Sequence, residues 1–100
     1  MEIHVDVNGA PARLVEPDDF KGFKVVLTGD PAGRAAALEA AGAAKVEEHA
    51  WITVEGLRRL AGDAATEEWE RNLEGMVGYA SGHGWYDEEL GAIRAHVEHR

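Results

Sequence analysis

The chain has 100 residues, the size of one ordinary domain, and a chain of that length buries about two-thirds of its unfolded surface. Hydrophobic residues make up 45% and cysteine is absent, so an apolar core must hold the fold without disulfides or thiolate-bound metal. Ten basic residues against nineteen acidic ones, a formal charge of −9, argue against a nucleic-acid partner and against an anionic membrane surface, both of which are held by lysine and arginine.

The opening residues MEIHVDVNGA lack a basic segment followed by an apolar run, and no stretch approaches the ~20 apolar residues of a membrane span. The expectation is one soluble, cytoplasmic domain over residues 1–100, of a kind common among acidic bacterial proteins.

In chain order, "EIHVDV-NG-APARLV" reads as a hairpin, with Asn8-Gly9 in a type I′ turn between two alternating runs. A two-residue loop sets Val7 opposite Ala10, Val5 opposite Ala12, Ile3 opposite Leu14 and His4 opposite Arg13. Pro11 has no N–H to give, so the second strand should lie at a sheet edge there, or bulge. "FKGFKVVLTGD" reads as a third strand centred on residues 23–28. Asp30 then caps a helix with Pro31 at its first position, and the helix runs to Ala41, where Gly42 takes the left-handed closing position.

"HAWIT" is a short strand, and Thr53 caps a short helix that turns Leu57, Leu60 and Ala61 inward and Arg58 and Arg59 outward. "TEEWERNLEGMVGYAS" is the longest helix, with Trp69, Leu73, Met76, Val77 and Ala80 on one stripe. Glu67 and Arg71 stand four residues apart on its wet side. Ser81 to Gly84 end it. Residues 88–98 read either as a strand with Ile93, Ala95 and Val97 inward or as a helix capped by Asp87; Gly91 and the alternation favour the strand. The order ββ-β-α-β-α-α-β defines an α+β domain, a small and largely antiparallel sheet with about three helices on one face.

Residues 20–46, "FKGFKVVLTGD…AAALEAAGAAKV", faintly resemble the opening of a BRCT domain, in which a strand ending in Thr-Gly leads to a helix, a glycine pair and a second strand. Ala43-Ala44 stands where the glycine pair belongs, and no later segment matches the tryptophan-bearing helix of that family. The likeness is one of strand-helix grammar, and no membership follows from it.

The chemistry-bearing residues form no complete motif. Gly29 and Gly33 satisfy neither phosphate-loop pattern, and an Asp30 cap would occupy the free N–H groups an anion needs. His96 and His99 would converge only on a helix, and His4 with His96 would meet only if the terminal strands paired; no third ligand is apparent, so no metal or cofactor is expected. His49, beside Glu47 and Glu48, reads as a solvated turn residue. Ser81, the only serine, has no nucleophile elbow.

The densest group is His83, Trp85, Tyr86 and Asp87, where a histidine near a carboxylate and two aromatic rings are the parts of a ligand or acid–base site. The same residues also serve as a helix stop and a lock between tail and core. The leading expectation is a non-catalytic protein-interaction domain whose partner is another protein or a second copy. The alternative is a small-molecule-binding protein or enzyme with a pocket around those four residues.

Overall fold

In the computed structural model, which describes residues 1–9 and 11–100, the strands are β1 (Glu2–Asp6), β2 (Arg13–Val15), β3 (Lys24–Thr28), β4 (Ala43–Val46), β5 (Ala50–Thr53), β6 (Tyr86–Asp87) and β7 (Ala92–His99). Helix α1 (Arg34–Ala40) follows β3, and α2 (Val54–Ala61) and α3 (Glu67–Gly82) lie between β5 and β6. The sheet runs β2-β1-β3-β7-β5-β4, with β6 against the start of β7. Pairings β1–β3 and β3–β7 are parallel and the other four antiparallel. The result is a mixed sheet with β3 and β7 at its centre.

The hairpin register is the one the Asn8-Gly9 loop implies, with Ile3 opposite Leu14 and His4 opposite Arg13; the expected pair of Val7 with Ala10 lies outside the described residues. The turn itself differs from type I′. Gly9 N–H donates to the Asp6 carbonyl at 3.2 Å, Asn8 N–H donates to the Asp6 carboxylate at 2.8 Å, and Gly9 has positive φ while Asn8 does not. The reason lies in Val7, whose N–H is taken by the Thr28 carbonyl of β3 at 2.9 Å. A residue bonded to β3 continues β1, and the chain turns around the Asp6 side chain instead. Strand β2 is an edge strand, consistent with Pro11 just before it.

The caps follow the sequence. Asp30 accepts from Ala32 N–H at 2.9 Å, with Pro31 opening a 3-10 turn over Pro31–Gly33 that leads into α1. Thr53 Oγ1 accepts from Gly56 N–H at 3.0 Å, and Thr66 Oγ1 accepts from Trp69 N–H at 3.2 Å. Each hydroxyl or carboxylate satisfies an N–H that the first helical turn leaves free. Gly42 closes α1 with φ +117.

All three helices cover one face. Leu38 of α1, Leu57 of α2, and Trp69 and Leu73 of α3 form a single core with Ile3, Val5, Val25, Leu27, Ala50, Ile52, Ala95 and Val97 from the strands. Residues 88–98 resolve as a loop and a strand. Ile93, Ala95 and Val97 are buried on the helix side, while Arg94, His96 and Glu98 alternate to the other. Two elements were not expected from the sequence: β4, which pairs with β5 through an irregularity between Ala43 and Lys45, and the two-residue β6. No helix is long and apolar enough to cross a membrane among the described residues.

Candidate functional site

Trp85 and Tyr86 are neighbours on an extended segment, so their side chains leave the backbone in opposite directions. Tyr86 pairs with Ile93 on the helix side. The Trp85 carbonyl accepts from Arg94 N–H at 2.8 Å, and its ring stacks on the other side. The four residues grouped in the sequence therefore divide. His83 and Trp85 are stacked, with ring centroids 4.6 Å apart and planes 18° from parallel. Tyr86 reaches a groove. Asp87 accepts from Glu89 N–H at 3.0 Å and Leu90 N–H at 3.1 Å, which makes it a turn cap. No hydrogen bond or ion pair joins His83 to Asp87 among the described residues.

The groove lies between α2, α3 and the turn leading into β7, with a volume of about 630 Å³. Val54, Leu73, Val77, Leu90 and Tyr86 give it apolar walls, and Glu55, Arg58, Arg59 and Glu74 line it as well. Arg58 is engaged by the Glu70 carboxylate through Nε at 2.9 and 3.0 Å. Glu55 and Glu74 have no ion-pair partner among the described residues.

A second feature crosses the helix-free face. Lys45 pairs with Trp51, Trp51 pairs with Arg94, and Arg94 is bonded to Trp85. Four side chains thus stand on four successive positions across β4, β5, β7 and the residue before β6, alternating cation and aromatic. Lys45 Nζ is 5.0 Å from the Trp51 ring centroid, and Arg94 Cζ is 5.6 Å from that of Trp85, within cation–π range. Beyond Trp85 the stack continues through His83 to Tyr79, whose ring is 4.4 Å from that of His83. Tyr79 is 64% exposed, the most open large hydrophobic residue of those described. Arg94 makes no side-chain hydrogen bond or ion pair among the described residues. The tail alternation made Arg94 outward in the sequence, but its aromatic neighbours come from β5 and the β6 segment, and the β6 pairing carries no sequence signal.

Farther along the same face, polar side chains form a network. His4 Nε2 is 2.8 Å from the Glu2 carboxylate, and Lys24 Nζ lies 3.7 Å from Glu2 and 3.4 Å from Glu98. Arg100 Nη2 is 2.7 Å from Glu98 Oε2, a close ion pair. The hydrogen bond with His4, with Lys24 beside it, holds the Glu2 carboxyl below its ordinary range. Partial burial pushes the Glu98 carboxyl up, but Arg100 and Lys24 outweigh it and the result is again a lowered value. Val26 lies fully buried among these groups.

The histidines do not converge. Strand β3 separates β1 from β7, so His4 and His96 are not strand neighbours. His96 comes nearest His49, with ring centroids 6.3 Å apart. No group of three histidine or carboxylate side chains placed to hold a metal occurs among the described residues. Asp30 is spent on its cap, and Ser81 is exposed at the end of α3.

No protein-family model matches the chain, and neither the curated proteins nor the solved structures contain a match.

Proposed function

We propose that this chain is a non-catalytic protein-interaction domain that works through the helix-free face of its sheet. The observation that carries this reading is the row Lys45–Trp51–Arg94–Trp85. Tryptophan and arginine are the residues that most often dominate protein interfaces. Here they are already ordered by strand pairing and by contact with one another, which reduces the entropy lost on association. The histidine and carboxylate grouped in the sequence do not meet, since Asp87 caps a turn and His83 stacks on Trp85.

The test is a benzophenone amino acid in place of the exposed His96, introduced in the native cell. Covalent capture of a polypeptide is the expected result, and a variant that folds yet captures none sinks the reading.

A second reading is favoured by the groove, whose 630 Å³ falls in the ~300–1,000 Å³ range of small-molecule sites. Its apolar walls and the free carboxylates of Glu55 and Glu74 suit an apolar body bearing a positive charge. Titration with decyltrimethylammonium and with decanoate, followed by NMR shifts of Val54, Val77 and Leu90, separates the cases. Shifts with the cation alone support this reading, and shifts with neither remove it.

A further inference from the structure

We infer that the partner on the helix-free face is a second copy of this chain, an inference that rests on the reading of that face as the working surface. The argument is in the order of the row. Lys45, Trp51, Arg94 and Trp85 read cation, ring, cation, ring. An even-numbered alternating row is complementary to its own reversal, so turning a copy end for end sets every cation against a ring.

Lys45 then meets Trp85 of the second copy, and Trp51 meets Arg94 of the second copy, each pair occurring twice. Spacing matches automatically, because both rows are laid out by the same strand separation of ~4.8 Å. The operation that brings two such faces together with the rows reversed is a two-fold axis parallel to the strands, giving an isologous dimer. An unrelated partner would have to supply the complementary alternation independently.

Charge adds a signature. Each copy carries −9, so two copies repel at long range, and salt screens that repulsion over ~8–10 Å. The short cation–ring contacts in a closed interface are screened much less. Association therefore tightens between low and physiological salt, whereas binding to a basic partner would weaken over the same interval.

Sedimentation equilibrium of the purified chain up to about 1 mM, with the benzophenone capture above, tests this directly. The wild type is expected to sediment as a dimer and more tightly at physiological salt. Arg94→Glu faces a carboxylate to Trp51 of the second copy, and Trp51→Lys opposes Arg94 of the second copy with a like charge; each should weaken association by about tenfold or more. Trp51→Glu should remain dimeric, because it gives Arg94 of the second copy an ion-pair partner. Trp51→Lys is a sharper test than Arg94→Glu, since it lowers the net repulsion and would strengthen any non-specific association.

Circular dichroism and urea midpoints establish that each variant is folded. A monomeric wild type at all concentrations, or an Arg94→Glu or Trp51→Lys variant as dimeric as wild type, overturns the inference. In the capture experiment a product of twice the chain mass supports it. A product with a different polypeptide overturns it while the interaction reading stands, and no product at all defeats both.

Discussion

Gly56, in the first turn of α2, lies against Gly42 at the end of α1: a Cβ on Gly56 would stand 2.8 Å from Thr53 Oγ1 and 3.2 Å from the Gly42 Cα. The same Thr53 donates its hydroxyl to the Gly42 carbonyl at 3.2 Å and its N–H to that carbonyl at 3.0 Å. One threonine therefore caps α2, closes α1 and leaves no space for a methyl group. The seam joins two helices that carry Leu38 and Leu57 into the core.

Gly56→Ala is expected to destabilise the protein. Overpacking costs ~1–3 kcal/mol and alanine returns up to ~1 kcal/mol of helix propensity, a net loss on the order of 1 kcal/mol. Gly75→Ala on α3 is the control. A Cβ there meets nothing within 4 Å, so the substitution should stabilise by ~0.4–1 kcal/mol. Urea unfolding of both variants reads the opposite signs.

A second close approach ties the hairpin to the β3–α1 turn. A Cβ on Gly33 would overlap a Val7 methyl group, and one on Gly29 would come 3.0 Å from Val7 Cβ. Gly33→Ala should therefore destabilise, and Val7→Ala, which removes the obstructing methyls, should recover part of the loss. A double-mutant cycle by urea unfolding is expected to return a coupling of ~0.5–3 kcal/mol in favour of the pair. Simple additivity would mean that Val7 is not the obstacle.

These packing details explain what was legible in the sequence. Signals carried by adjacent residues were readable: the hairpin register set by Asn8-Gly9, the caps at Asp30 and Thr53, the inward stripe of α3 and the alternation of Ile93, Ala95 and Val97. Features decided by distant residues were not. The turn type depends on Thr28 taking the Val7 N–H. Strand β4, "AAKV", is four residues with no clear alternation after the Gly42 stop, and it is its pairing with β5 that makes it a strand. The parallel neighbours of β3 have no local signature. The site suffered most, because residues 83–87 look like one cluster in a line of text, and extended geometry sends Trp85 and Tyr86 to different surfaces.

Acid should weaken the fold through the network on the helix-free face. Glu2 and Glu98 both have lowered pKa values in the folded chain. A carboxyl that is more acidic when folded contributes stability that is complete above its unfolded value, 4.5 for glutamate, and that contribution is lost as pH falls through the folded value. Glu2→Gln and Glu98→Gln should thus be less stable than wild type near pH 7, with the difference shrinking below pH 4.5. Urea midpoints from neutral to acid pH measure the convergence, and parallel curves would refute it.

Trp69 is 1% exposed, and its indole N–H donates to the Pro17 carbonyl at 2.8 Å, joining α3 to the loop between β2 and β3. Phe20 of that loop packs on the indole, with ring centroids 6.0 Å apart. The Met1 ammonium group donates to the loop's Asp19 and Gly22 carbonyls at 2.8 and 3.0 Å. The indole and the Met1 ammonium group thus hold a segment that has no strand or helix of its own.

Trp69→Phe keeps the ring contact but removes the donor and some volume. The expected cost is ~1–3 kcal/mol for the unpaired carbonyl, and Trp69→Ala should cost ~3–5 kcal/mol. The phenylalanine variant should also exchange amide protons faster over residues 18–23, since its loop has lost an anchor while the core stripe of α3 remains. Trp51 and Trp85 are only half-buried, so removing Trp69 should delete the blue, quencher-resistant part of the fluorescence. Unchanged loop exchange in a destabilised Trp69→Phe variant would show that the indole acts through packing alone.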